Sequence, residues 1–342
     1  MGDESWFCGY DPEGDHQVLL YPEPLTQFAG WCCVLFTVLG IPGNLITLLS
    51  LSQERRLRSA TTVFVLSLAA ADFLFCSINL PLTACRYFRR TWPFGDSLCV
   101  LFGLFFYGNM AASILSMMAI TVTRFMVVYY PVHYKAVFAR TSVVALMVAT
   151  LWVISFLSLL PTLSHAWGRF GLEPTTFSCT ILPDAKGHSP KKLLFTLGFV
   201  VPCVVILVSY SCIFFKVRKS HRNIAAHSAT EGGQERFRRD EMRITRLMLT
   251  VFCLFLLCFL PLTAANVFDS TIKYPGLHVL ASVLAWMSCC VNPIVYVLVN
   301  YQYRTAYKAF LCHALEACKR FSSPTAQTRP VKPSTNAHTS EM

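Results

Sequence analysis

Seven long apolar stretches, at residues 28–53, 59–85, 97–123, 141–166, 193–215, 247–268 and 274–303, are interrupted by a single formal charge, Asp72. Each is long enough to cross the hydrocarbon core of a bilayer as a helix, which takes roughly 20 apolar residues. A water-soluble helical protein would need polar faces at helical spacing, and these stretches have none. The sequence therefore predicts an all-α membrane protein: a seven-transmembrane helix bundle at 28–300, preceded by an extracellular segment at 1–27. A short amphipathic eighth helix is expected at 301–312 and a disordered cytoplasmic tail at 313–342.

A formal charge of +11 would suggest a nucleic-acid partner in a soluble chain. Here the basic residues collect between alternate spans, at Arg55, Arg56 and Arg58, at Lys135 and Arg140, at 216–246 and at 304–332, while residues 1–25 hold neither Lys nor Arg. That asymmetry follows the positive-inside rule, placing the N-terminus outside and the C-terminus in the cytosol. Membrane lipid is the partner this charge serves, with no nucleic acid, and the plasma membrane is the expected location. The acidic start (Asp3, Glu4, Asp11, Glu13, Asp15) has no charged leader followed by an apolar core, so the first span is expected to direct its own insertion.

Most of the 15 cysteines lie within spans, where a thiol behaves as a small apolar group. Cys99 opens the third span and Cys179 lies in the long loop after the fourth, so a bridge between them would pin that loop over the bundle. Cys8 and Cys85 form a second candidate pair. Cys312 and Cys318 follow the last span among Lys308, Lys319 and Arg320, a setting for reversible acylation or for two unmodified thiols.

Polar groups inside the spans mark function, because burying them costs several kcal/mol unless they are satisfied. Asn109 and Ser113 share one face of the third helix, and Ser288 and Asn292 one face of the seventh. Converging on Asp72, their oxygens would make a sodium or proton site, or a structural hydrogen-bond network around a neutral carboxyl. Pro293 frees a backbone carbonyl in the seventh span, and Asn292 is the natural side chain to take it up. Arg124 emerges at the cytoplasmic end of the third span, with Glu241 at similar depth on the sixth. Paired, they would clamp two helix ends and form a two-state element; unpaired, Arg124 snorkels and Glu241 meets Arg238. Phe255 and Phe259 stack one helical turn apart, immediately before the kink at Pro261.

These residues resemble the rhodopsin-like G-protein-coupled receptors across all seven spans. The marks are Gly43-Asn44, Leu68-Ala69-Ala70-Ala71-Asp72, Trp152, Pro202 and Tyr210, Cys258-Phe259-Leu260-Pro261, and Asn292-Pro293-Ile294-Val295-Tyr296. Within that family, Trp92-Pro93-Phe94-Gly95-Asp96 and the two segments 167–172 and 177–182 are similar to the Moody and Trapped-in-endoderm group of arthropod orphan receptors. The resemblance implies a ligand-gated exchange factor for heterotrimeric G proteins, of the inhibitory class, acting in cell migration, polarity or epithelial and glial barriers. It assigns Arg124, Glu241, Tyr210 and Tyr296 to the G-protein switch, with receptor kinase and arrestin as partners of the tail. No cofactor is implied beyond an allosteric sodium ion.

The chain also departs from the family pattern. Thr123 and Phe125 flank Arg124 where an acid and a tyrosine are usual, and Phe259 stands in place of the usual tryptophan. Phe106 replaces the aspartate of amine receptors and Trp286 the lysine of opsins, which disfavours an amine or retinal. The outer mouth, with Arg86, Arg89, Arg90, Arg169, Lys191 and Lys192 beside Tyr87, Phe106, Tyr107 and Trp286, suits an anionic lipid or an acidic peptide. A transporter would show repeated broken helices in two halves, and a membrane enzyme a HExxH or a phosphate loop. None of these is found.

Overall fold

The computed structural model describes residues 21–54, 59–225, 232–269 and 272–322, with the side chains of 217–248 and 317–322 outside the description. The chain runs α1 (Glu23–Gln53), α2 (Ala60–Leu74), a π-helical turn (Phe75–Asn79), α3 (Leu80–Arg89), α4 (Gly95–Tyr129) and α5 (Pro131–Phe138). It continues through α6 (Thr141–Leu157), α7 (Leu160–Leu163), β1 (Arg169–Glu173), β2 (Ser178–Leu182), α8 (Lys191–Ala225), α9 (Gly232–Phe268), α10 (Pro275–Val299) and α11 (Tyr301–Ser322). Among the described residues, seven helical runs are long and apolar enough to cross a membrane: α1, α2 to α3, α4, α6 to α7, the apolar parts of α8 and α9, and α10.

Burial is inverted relative to a water-soluble protein. Trp31, Leu146 and Leu257 are each about two-thirds exposed on the outside of the bundle, whereas Asn44, Asp72, Asn79 and Asn109 are buried within it. Apolar surface on this scale is stable only where lipid covers it. Prolines lie inside α1 (Pro42), α8 (Pro202), α9 (Pro261) and α10 (Pro293). The 35-residue α4 has none, and packs against α2, α6, α8 and both strands. It is a proline-free helix of about 50 Å at 1.5 Å per residue, and it carries Ser113 and Arg124.

The proline in α10 is accommodated differently from the sequence expectation. The carbonyl freed four residues before Pro293 belongs to Cys289, and Asn44 of α1 takes it up: its Nδ2 donates to Cys289 O at 2.8 Å and to Gly40 O at 3.0 Å. Asn292 does not, because its own amide is directed at Asp72. Gly43 makes the approach possible, since a Cβ there would lie 3.3 Å from the Pro293 ring. We expect Asn44→Ala to strand the Cys289 carbonyl in a dry interior, at a cost of about 1–3 kcal/mol. The check is a lowered thermal midpoint of the purified protein; an unchanged midpoint would show that the carbonyl finds another donor.

Three local features exceed the expectation. The loop after the fourth span forms an antiparallel hairpin, Arg169 paired with Leu182 and Glu173 with Ser178. Residues 131–138, read as a connection, form α5. The last helix continues to Ser322 instead of ending at Cys312, so the residues 313–322 assigned to the tail are helical.

Candidate functional site

Midway through the bundle, Asp72 of α2 receives two hydrogen bonds. Ser113 Oγ of α4 donates to Oδ1 at 3.1 Å, and Asn292 Nδ2 of α10 donates to Oδ2 at 2.7 Å. The carboxyl thus ties three spans together. A cavity of about 40 Å³ adjoins it, lined by Asp72, Ser113, Ser288 and Asn292 among apolar side chains. That is room for more than one water-sized group. Ser288 lines the cavity while its hydroxyl bonds its own helix at Ala285 O, 2.6 Å away. Asn109 does not line it, and neither atom of its amide has a hydrogen-bond partner among the described residues. Sharing a face with Ser113 still leaves it one turn, about 6 Å, along the axis.

Phe255 and Phe259 of α9 form the wall opposite. Their ring centroids are 4.6 Å apart, and Phe255 also stacks on Phe199 of α8 at 6.2 Å. Both rings line the Asp72 cavity, so rotation of either would change the packing around it. A second polar contact, missed in the sequence, lies alongside: Ser67 and Ser116 hydroxyls are 2.9 Å apart, and Trp152 Nε1 donates to Ser67 at 3.0 Å. This is what Trp152 does, joining the fourth span to the second and third. The signal was available as two serines and an indole at equal depth.

At the far end of α4, Arg124 is 5% exposed. Tyr210 of α8, Tyr296 of α10 and Tyr303 of α11 belong to one buried cluster at this end of the bundle. Tyr296 of α10 packs edge-on against Tyr303, centroids 5.6 Å apart, and its buried hydroxyl has no hydrogen-bond partner among the described residues. Thr123, beside Arg124, donates to Ile120 O at 2.7 Å and meets Thr61 of α2 at 3.3 Å. The Glu241 side chain lies outside the described residues.

At the opposite end the Cys99–Cys179 disulfide fastens β2 to the start of α4. Cys85 has no disulfide partner among the described residues, and its candidate partner Cys8 lies outside them. The hairpin roofs a cavity of about 550 Å³ whose lining includes Arg86, Phe106, Tyr107, Lys191, Lys192 and Trp286. Tyr87 is buried beneath Arg86 and does not line it. Arg90 is occupied elsewhere, 3.8 Å from Glu23 and donating to Tyr21 O at 3.3 Å. Among the two candidate acylation sites, Cys312 is exposed, and the Cys318 side chain lies outside the description. Within the spans, Cys76, Cys289 and Cys290 gather around Gly40 as small buried groups.

Residues 43–296 match the family described as 7 transmembrane receptor (rhodopsin family). The chain is 44% identical to Protein trapped in endoderm-1 of Drosophila melanogaster, over 89% of this chain and 84% of that protein. It is 32% identical to the G-protein coupled receptor moody of the same species, over 84% of this chain and 52% of moody, so it spans about half of that relative. Squid rhodopsin shares the fold, with a TM-score of 0.73 at 22% identity, covering 92% of this chain and 94% of that one. The seven spans, the disulfide-pinned hairpin, the Asp72–Asn292 contact and the buried Arg124 fall within the matched region or border it, and the chain belongs to the rhodopsin family of G-protein-coupled receptors, of the Trapped-in-endoderm and Moody type.

Proposed function

We propose that this receptor lies in the plasma membrane with its disulfide end outside, and passes an extracellular signal to heterotrimeric G proteins of the inhibitory class. In the same reading it serves directed cell migration, polarity or the formation of epithelial and glial barriers. A disulfide belongs in an oxidising compartment, and the excess of basic residues at the Arg124 end belongs in the cytosol. The observation that carries signal transfer is that Trp286 lines both the outer cavity and the Asp72 cavity, with Phe106 and Leu262. A group pressing on that indole reaches the Phe255–Phe259 pair and Asp72 without an intervening layer. At the other end α5 presents Val132, 76% exposed, as an apolar foothold for a G protein. Tail hydroxyls such as Ser334 and Ser340, outside the described residues, are the expected sites for a receptor kinase and for arrestin.

The test is G-protein dissociation across a panel of subtypes at matched surface density. Dissociation confined to inhibitory-class proteins is the expected result, and dissociation of another class alone would overturn the assignment.

An allosteric sodium ion fits the Asp72 cavity, which offers one carboxylate with the oxygens of Ser113, Ser288 and Asn292, the hard donors such a cation prefers. Bound there, it would hold α2, α4 and α10 together. Asp72→Asn is expected to abolish any sodium dependence of activity while the protein still folds, because the isosteric amide keeps one acceptor and the Asn292 amide can turn its oxygen to accept from the new NH2. Sodium sensitivity retained in the purified variant would reject the site.

A further inference from the structure

We propose that the outer cavity binds an amphiphile with an anionic head and a single acyl chain, the head held by Arg86 and the chain by a lateral apolar chamber between α4, α6 and α8. This rests on the reading of the disulfide end as the outer, signal-receiving face.

Arg86 is a costly residue in its position. It is 6% exposed. Its guanidinium sits 4.4 Å from the centroid of the Tyr87 ring, and Nη1 donates to Ser178 Oγ at 2.7 Å and more weakly to Phe177 O at 3.5 Å. Nε has no partner, and no carboxylate lies within ion-pair distance among the described residues. A buried charge without a counter-ion costs several kcal/mol, and the planar fork of arginine is shaped for a two-oxygen anion. Lys191 and Lys192 of α8 add two further positive charges to the lining.

The two acids that line the cavity are already engaged. Asp269 accepts backbone N–H bonds from Lys273 at 2.9 Å and Tyr274 at 3.1 Å, and lies 3.2 Å from His278 Nε2. Those amides hold its carboxyl below the ordinary carboxylate value. Glu173 accepts from Thr175 Oγ1 at 2.9 Å. Both carboxylates keep their charge in these bonds, so among the described residues the lining sets the three cations Arg86, Lys191 and Lys192 against two anions.

The apolar half is equally specific. Tyr107 and Phe195 line both the outer cavity and a second chamber of about 390 Å³. The remaining walls of that chamber are almost wholly apolar, among them Ile114, Leu115, Met118 and Ile154. From Tyr107 to Met118 it follows α4 for about 16 Å at 1.5 Å per residue. Ile154, Leu197 and Val201 are each about half exposed on the lipid-facing side, so the chamber opens sideways toward the bilayer. A polar peptide would use the cationic cavity and leave this chamber without an occupant. A lipid anion uses both and has a route in.

The probe is 1-oleoylglycerol 3-phosphate, titrated onto the full receptor in phosphatidylcholine nanodiscs, with 1-oleoylglycerol and glycerol 3-phosphate as the chain-only and head-only comparisons. The complete probe is expected to bind at least about tenfold tighter than either part, each contribution exceeding 1.4 kcal/mol. Arg86→Gln should weaken the probe by about tenfold and leave 1-oleoylglycerol unchanged. Should that variant fail to fold, Lys191→Ala with Lys192→Ala, a half-buried and an exposed residue, is expected to weaken the probe severalfold. Gly198 lines the apolar chamber, and a Cβ there meets nothing within 4 Å. Gly198→Leu should therefore fill the chamber, weakening the probe but not glycerol 3-phosphate. Equal binding of probe and 1-oleoylglycerol, or no loss in the charge variants, would overturn the anion site. Tight binding of an oligoglutamate peptide with no chain dependence of the lipids would instead make the partner an acidic peptide. Binding is read without G protein, so an Arg124→Ala receptor that still binds the probe separates this proposal from the coupling assignment.

Discussion

Arg124→Ala is expected to reduce G-protein dissociation at least tenfold at equal surface density, with little loss of folded protein. Arg124 lies in the last two turns of the proline-free α4 and is nearly fully buried, at the end of the bundle where Tyr210, Tyr296 and Tyr303 cluster. Tyr296 has its hydroxyl buried and unbonded among the described residues. A rearrangement that gives the Tyr296 hydroxyl a new partner on α4 or α8 would move α10 relative to α4. Tyr296→Phe removes the hydroxyl and leaves the ring against Tyr303, so its effect should be smaller than that of Arg124→Ala. Full activity in Arg124→Ala would remove Arg124 from the switch.

The spans and their order were legible because lipid permits only helices and closed barrels, and continuous apolar runs of more than roughly 20 residues fit the helix alone. Asp72 and Asn292 were legible for the same reason, as polar groups where each needs a partner. Which partners they take was not. Asn292 could have served the carbonyl freed by Pro293, and only the packing of α1, set by the missing side chain of Gly43, gives that carbonyl to Asn44. Asn109 shares a helical face with Ser113, yet a face fixes direction and not depth. The hairpin escaped notice because each strand is 5 residues long, although the inward positions Phe170, Cys179 and Ile181 do alternate. The grouping of outer basic residues was visible as composition. That Arg86 alone is sunk among aromatic rings while Arg90 is tied to Glu23 depends on tertiary packing.

Thr123→Asp is expected to lower ligand-free signalling, and Glu241→Ala to raise it. The family pattern has an acid immediately before the buried arginine, and this chain has Thr123, bonded to its own helix and to Thr61. With no acid at that position, Glu241 on the sixth span is left as the main acidic restraint the sequence offers. Removing it should favour the open arrangement. A carboxylate installed at 123, next to a guanidinium in a poorly solvated setting, adds a charge-assisted contact worth about 1.5–3 kcal/mol. If basal activity reflects a two-state equilibrium, that corresponds to a fall of roughly ten- to a hundredfold in the active fraction. The comparison must be made on purified, folded protein, because Thr123 is 1% exposed and a charge there that missed Arg124 would unfold the receptor. A folded Thr123→Asp receptor with unchanged basal activity would mean that the end of α4 is not what holds the bundle closed. In that case the effect of Glu241→Ala, if present, would have to arise within the sixth span.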